Sequence, residues 1–393
     1  MKIGLLTHSV NPRGGVVHTL ELARALHEQG HAVTVFAPAQ AGQRFFRAVP
    51  HAVSLAPVGP APPDLGDMVG DRIAAFRSHL GERLQRERFD VFHAHDGIGA
   101  NALADLAEAG VIDGFVRTVH HLDDFADPRV AAWQRRSVAA ATALLCVSET
   151  WRERLREGYG REALRVDNGV DLQRYARTPD ASDPTLAQRL GLRPGVPRWL
   201  LVGGVEERKN SLRVLRAFLR LRLDHPGAQL VVAGGASLLN HDAAARAFQA
   251  ELDAAGLQPG PGRDVVLTGP LPDALMPALF RQAGALAMPS LTEGFGLVVL
   301  EALACGTPVL VSERAPFTEY LGDTVAAGHA VYADPLDEAS IAQAMRQAIE
   351  PARRTALAAA VPPVCRCYSW SRSAARHAEV YAALIARREP VPI

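Results

Sequence analysis

Two glutamates, Glu293 and Glu301, stand with seven residues between them in the stretch PSLTEGFGLVVLEALACGTPV, residues 289–309. A carboxylate accepts paired hydrogen bonds from neighbouring hydroxyls such as those of a ribose, and a second one nearby can serve another hydroxyl-bearing or reacting group. Pro289, Ser290, Thr292, Gly294 and Gly296 are turn formers, so Glu293 is expected in a loop. Glu301 is expected in a helix from about Leu297 to Cys305, ended by Gly306 and Pro308. Strand-like ALAM at 285–288 and VLV at 309–311 flank this unit. Glycines let backbone approach a ligand closely, and the free N–H groups of a helix's first turn suit an anion. An ordinary strand–turn–helix with two solvated glutamates fits the spacing equally well.

A second group of chemistry-bearing residues lies near the start. After the strand KIGLLT comes HSVNPRGG, whose Gly14 and Gly15 sit where the loop enters a helix, at about Val16–Glu28. Backbone there can approach a phosphate or a sugar. Neither G-x-G-x-x-G nor G-x-x-x-x-G-K-[ST] occurs, which removes the main support for dinucleotide and P-loop binding. Further on, DVFHAHD at 90–96 ends in His93, His95 and Asp96, and VRTVHHLDDF at 116–125 ends in His120, His121, Asp123 and Asp124. Ligands of open parallel sheets bind beyond the carboxyl ends of strands, where both groups fall. Three readings compete for the histidines: a metal site, a polar surface, and a sugar-binding cleft. The metal reading lacks a fixed ligand spacing of the H-E-x-x-H kind.

The elements that must position these residues alternate strand and helix along the chain. Its 393 residues suffice for two domains of ordinary size. Forty-two basic and 42 acidic side chains balance, which argues against a broad nucleic-acid-binding face. Cys146, Cys305, Cys365 and Cys367 show neither zinc-ligand nor disulfide-framework spacing, and Cys146 and Cys305 sit in apolar runs. A reducing, cytoplasmic setting fits that usage. There is no signal-peptide pattern and no apolar run of the ~18 residues a bilayer span needs. A helix over Asp71–Arg88 carries five arginines and permits weak peripheral contact with an anionic membrane, although interspersed acidic residues favour a solvated face. Val58–Gly70 reads as a long Pro- and Gly-rich connection, and Thr178–Pro197 as a linker with a short helix. In the second half, strand RWLLVGG leads into the turn VEERKNS, where Arg208 and Lys209 are placed to meet a diphosphate.

The stretch from Glu293 to Glu301 closely resembles the E-x7-E signature of retaining GT-B glycosyltransferases, in particular glycosyltransferase family four. The resemblance extends to the ERKN turn, the T-x-H at Thr118–His120, and the N-G-V-D at Asn168–Asp171. It implies an α/β fold of GT-B architecture, with two Rossmann-like domains whose parallel sheets face a central cleft. The expected domains are 1–170 on the acceptor side and 171–369 on the donor side, with a helix at 370–389 returning to the first. It implies a hexosyl donor carried on a nucleoside diphosphate, UDP favoured, an unidentified acceptor, and transfer with retention. His120, Glu293 and Lys209 are the implied catalytic residues. Gly14, Gly15, Arg208, Lys209, Gly294, Phe295, Gly296, Leu297 and Glu301 are the implied donor contacts. His95, Asp96, Asp123 and Asp124 are candidate acceptor contacts. No cofactor and no metal are implied, because Lys and Arg supply the charge. One departure stands out: Gly204 occupies the place where the family usually has an arginine, and Arg208 is the candidate replacement. Phosphorylase or epimerase chemistry, or a non-catalytic nucleotide-sugar-binding protein, remain the alternatives. Oligomeric state is left open.

Overall fold

The computed structural model describes residues 1–235, 241–322 and 330–386. The chain divides into two units, Met1–Gly169 together with the chain from Tyr368, and Val170–Cys367.

In the first unit the chain runs β1 (Lys2–Leu6), α1 (Gly14–Glu28), β2 (Ala32–Ala39), β3 (Ala52–Pro57) and α2 (Leu65–Leu84). It continues through β4 (Val91–Ala94), α3 (Gly97–Glu108), β5 (Val116–Val119), α4 (Pro128–Ala139), β6 (Ala143–Cys146), α5 (Glu149–Tyr159) and β7 (Leu164–Arg165). These strands form one parallel sheet in the order β3-β2-β1-β4-β5-β6-β7. Runs such as IGLL and LLC are buried on both faces, as strands covered by helices on either side must be.

In the second unit α6 (Ser182–Leu190) precedes β8 (Arg198–Val202), α7 (Ser211–Asp224), β9 (Gln229–Ala233), α8 (Asp242–Ala254) and β10 (Val265–Gly269). Then come α9 (Met276–Gln282), β11 (Ala285–Met288), α10 (Leu297–Ala304), β12 (Val309–Ser312) and α11 (Phe317–Leu321). The unit ends with β13 (Ala330–Ala333), α12 (Glu338–Ala348) and α13 (Pro351–Cys367). Its parallel sheet has the order β10-β9-β8-β11-β12-β13. The core gathers Trp199, Val214, Phe218, Leu230, Leu310, Ile341 and Met345, and the Trp199 indole N–H donates to the Met345 carbonyl at 2.9 Å.

The final helix, α14 (Trp370–Ala386), belongs to the first unit, where it packs on α1. Its Tyr381 hydroxyl meets His93 Nδ1 at 2.7 Å. The last positions of the helix expected at 370–389 lie outside the described residues.

Three local expectations need correction. The connection expected over Val58–Gly70 stops early, because α2 starts at Leu65. Asp64 caps it, accepting from the Asp67 N–H at 2.9 Å, and the Arg129 guanidinium then ties Asp64, Asp67 and Asp127 together. The segment 116–125 is strand only as far as Val119, and His120 begins the loop. The strand β3 and the helices α4, α5 and α8 were not anticipated. Cys146 and Cys305 are buried, as their apolar surroundings suggested.

Both sheets reverse their strand order once, between β1 and β4 in the first unit and between β8 and β11 in the second. At such a reversal, successive crossovers leave in opposite directions and open a crevice past the carboxyl ends of the strands. The chemistry-bearing residues collect at these two places.

Candidate functional site

In the second unit, the loop after β8 meets the loop after β11. Gly203 and Gly204 both donate N–H to the Ala233 carbonyl, at 2.8 and 3.0 Å. Gly204 sits at φ +78, and a Cβ there would lie 3.1 Å from the Gly235 carbonyl oxygen, which explains a glycine at the place where the resemblance implies an arginine. The turn then delivers Arg208 and Lys209. Lys209 Nζ meets Glu293 Oε1 at 2.5 Å and Arg208 Nη1 meets the same oxygen at 3.2 Å. Arg208 also donates to the Thr292 carbonyl at 3.3 Å, while its own carbonyl accepts from Leu291 N–H at 2.9 Å. The two loops are therefore clipped together through side chain and backbone.

Asn210 completes the clip. Among the described residues it is the non-glycine one at positive φ (60), a conformation asparagine tolerates better than most side chains. Its buried amide donates to the Pro289 carbonyl at 2.9 Å and the Pro335 carbonyl at 2.6 Å. Sequence reasoning passed over Asn210. The signal was available, since an Asn directly before a helix that begins Ser-Leu is a suitable left-handed residue.

Electrostatics at this site are those of paired charge. Burial lowers the Lys209 ammonium, and attraction to Glu293 offsets part of that. For Glu293, burial pushes the carboxyl up, but Lys209 and Arg208 outweigh it and leave the group below its ordinary value. Each partner sits against the other's charge at 2.5 Å, which favours the charged form of both.

Gly294, Gly296 and Leu297 are half-buried along the same loop, and Phe295 is buried with its ring stacked on Tyr320 at 4.5 Å. Gly296, at φ +87, immediately precedes α10, and a Cβ would press on Phe317 at 2.7 Å. Glu301 lies inside α10, buried, where it hydrogen-bonds the Tyr175 hydroxyl. Burial first and Glu301 second hold the Tyr175 phenol well above its ordinary pKa. Tyr175 was missed by sequence reasoning because no local pattern marks it.

In the first unit, Gly14 opens α1 with nothing near it, and a Cβ on Gly15 would lie 3.6 Å from His120 Cδ2. One turn on, His18 is buried, with ring centroids 4.5 Å from His120 and 5.0 Å from His95. His18 Nδ1 donates to Asn168 Oδ1 at 2.9 Å. His93 bridges Tyr381 and Thr118 Oγ1, the latter at 2.8 Å, and its ring lies tilted against that of His95 at 4.1 Å. His95 Nδ1 faces His120 Nε2 at 3.4 Å. His377 of α14 donates Nδ1–H to the Ser373 carbonyl at 2.8 Å and lies near His93 and His18.

Burial is the largest cause lowering the basicity of every member of this cluster. It brings His18 to about 3 and His377 to about 4, and holds His93, His95 and His120 well below the ordinary histidine value. Mutual repulsion adds to it for His18, His93, His95 and His120.

The remaining candidates are dispersed. Asp96 caps α3, accepting from Gly99 N–H at 2.7 Å. His121 is exposed and pairs with Asp123 at 3.2 Å, and Asp124 is exposed. The H-H-x-D-D run thus splits, with only His120 turned into the cluster. Arg117, buried on β5, donates to the Thr118 carbonyl, and burial lowers its guanidinium to about 10 with Asp96 opposing. Burial lowers the basicity of nearby His8, Asp96 opposes it, and Arg13 and Arg72 add to the lowering. Sequence reasoning missed this group because its members come from β5, α2 and the loop after β1.

Residues 12–174 match the family described as Glycosyltransferase Family 4, and residues 182–362 match Glycosyl transferases group 1. The D-inositol 3-phosphate glycosyltransferase of Xylanimonas cellulosilytica is 31% identical, covering 95% of this chain and 93% of that one. The phosphatidyl-myo-inositol mannosyltransferase of Mycobacterium tuberculosis is 29% identical, covering 97% and 96%. Among solved structures, the sucrose-phosphate synthase of Thermosynechococcus elongatus superposes with a TM-score of 0.81 at 20% identity, covering 98% of this chain and 99% of that one.

Proposed function

The chain belongs to the family-4 glycosyltransferases of GT-B architecture, and from that premise we propose that it moves a hexosyl group from a nucleoside-diphosphate sugar, UDP favoured, to an anionic acceptor with retention of configuration. The observation that carries this reading is the Arg208–Glu293–Lys209 clip at the strand-order reversal of the second unit. It holds two cations beside the glycine-rich start of α10, where free backbone N–H groups favour an anion.

In this reading the C1–O bond to the diphosphate breaks as C1 bonds to the acceptor oxygen. The acceptor's proton passes to the departing phosphate oxygen on the same face. Lys209 and Arg208 offset the charge that builds on the diphosphate, the role a divalent cation fills elsewhere. Glu293 holds both cations in place until the donor arrives and then accepts from sugar hydroxyls. Glu301, steadied by Tyr175, accepts from the ribose. His120, kept neutral by burial, hydrogen-bonds the sugar and does not act as a base. Gly14 and Gly15 give the backbone room near the reacting groups. Arg13, Arg72 and Arg117 against Asp96 favour an acceptor that carries a negative group. The relatives named for inositol 3-phosphate and phosphatidyl-inositol agree with that preference.

Water can stand in for the unidentified acceptor. Incubated in EDTA with a panel of α-linked UDP-, GDP- and ADP-hexoses, the protein should slowly release one nucleotide. Proton NMR should show the α-anomer of the sugar first. Initial release of the β-anomer would overturn retention, and no release from any donor would overturn the transferase reading at this site.

A further inference from the structure

The histidine cluster of the first unit holds more lone pairs than sugar recognition requires. One ring nitrogen from each of His18, His95 and His120 lies within 4.8 Å of the others. His18 Nδ1–H is committed to the Asn168 carbonyl oxygen, which leaves Nε2 as a bare lone pair. That Nε2 is buried without a hydrogen-bond partner. A buried imidazole held by an amide oxygen through one nitrogen, with the other nitrogen unpartnered, is the arrangement found for a metal-ligating histidine.

We propose that His18, His95 and His120 form a three-nitrogen site for a divalent first-row transition ion of the zinc type, reached through half-buried His120. Two nitrogens bound at about 2.0–2.1 Å to a tetrahedral ion stand about 3.3–3.4 Å apart. His95 Nδ1 and His120 Nε2 are already at 3.4 Å, long for a hydrogen bond between two rings. The wider His18 spacing closes with about 1–1.5 Å of movement, for which the half-buried His120 is best placed. Arg117 opposes a cation here, and Asp96 beside it offsets part of that repulsion. Imidazole donors select zinc, copper or nickel over magnesium, which prefers oxygen.

Binding of the ion would remove His120 from the sugar. Resting on the transferase reading for this consequence alone, zinc is then an inhibitor that competes with the donor and that EDTA reverses. Occupation of the site is testable without any substrate.

The experiment is calorimetric titration of the protein, free of any histidine tag, with Zn²⁺ and with Mg²⁺. One zinc per chain should bind at least about 100-fold more tightly than magnesium. His18→Gln should weaken zinc by a similar factor, and Asn168→Ala by about 10–100-fold, since it removes the group that orients a ligand. His377→Gln, equally buried but outside the trio, should retain zinc affinity and shows that loss of a buried histidine alone is not the cause. Should His18→Gln fail to fold, the Asn168→Ala titration and a zinc-dependent rise in the wild-type melting temperature carry the test. Zinc binding no tighter than magnesium, or unchanged in both His18→Gln and Asn168→Ala, would overturn the site. Zinc that binds without altering nucleotide release would leave the site standing and refute only its competition with the donor.

Discussion

The two units place similar sheets under chemically opposite sites. At the reversal of the second sheet, buried ionisable groups are paired: Lys209 and Arg208 share one oxygen of Glu293. At the reversal of the first, the clustered histidines are neutral: His18, His93, His95, His120 and His377 have their basicity lowered by burial. Removing charge from water is costly, and a protein meets the cost by matching charges or by discharging them. The matched site can exchange its internal anion for an external one, which suits a diphosphate. The discharged site offers lone pairs and N–H groups, which suits sugar hydroxyls, protons or a soft cation.

The contrast can be broken most sharply at Lys209. In Lys209→Ala, Glu293 loses its closest cation but keeps Arg208, and the diphosphate loses a cation. We expect nucleotide release to fall about 10²–10³-fold, measured as initial rates at saturating donor. A fall below tenfold would mean that the pair is structural.

Acid should act on the first unit. His18 at about 3 and His377 at about 4 lie below the ordinary 6.5, so as pH falls the unfolded chain takes up protons before the folded one. Their contribution is complete above pH 6.5 and is lost progressively between 6.5 and about 3–4, by up to about 1.4 kcal/mol per histidine per pH unit. Urea midpoints at pH 7.5, 6 and 5 should therefore decline, and less steeply in His377→Gln. A flat profile would show that the cluster is not held neutral by burial.

A smaller effect is expected of His120→Ala. Loss of one neutral hydrogen bond to the sugar should lower kcat/KM about 2–10-fold, with little change in the melting curve because the ring is half-buried. Equal loss of stability and activity would make His120 a packing residue. Smallest of all, Gly204→Ala should cost about 1 kcal/mol in urea unfolding, from strain at φ +78 and the nearby Gly235 carbonyl, while donor affinity is retained. That outcome would mark Gly204 as a backbone requirement.

What the sequence made legible follows from how local each feature is. Glu293, the glycines after it and Glu301 lie in one short stretch, and Arg208 with Lys209 lie in one turn, so residue type and spacing sufficed to single them out. That these two segments are clipped together through a shared oxygen was not visible, because residues 209 and 293 meet only through the sheet order. The histidine cluster draws on α1, β4, the loops after β4 and β5, and α14, and His18 in particular sits unremarked inside an amphipathic helix. Alternating strands and helices were readable where apolar runs were continuous, as in LLVGG and LVVAGG. Helix α5 escaped because only Trp151 and Leu155 of its residues are buried, too few to show a helical period. Helix α2 starts earlier than its sequence pattern suggests because Pro62 and Pro63 mask the cap that Asp64 provides.

The most direct measurement is a titration of the wild-type protein with UDP, GDP and ADP, each in EDTA and again with magnesium. The expected result is that one nucleotide, UDP by preference, binds equally well in both and binds Lys209→Ala at least about tenfold more weakly, as loss of one charge-assisted contact requires. Binding that appears only with magnesium, or that is indifferent to Lys209, would contradict a diphosphate site built from paired protein charges.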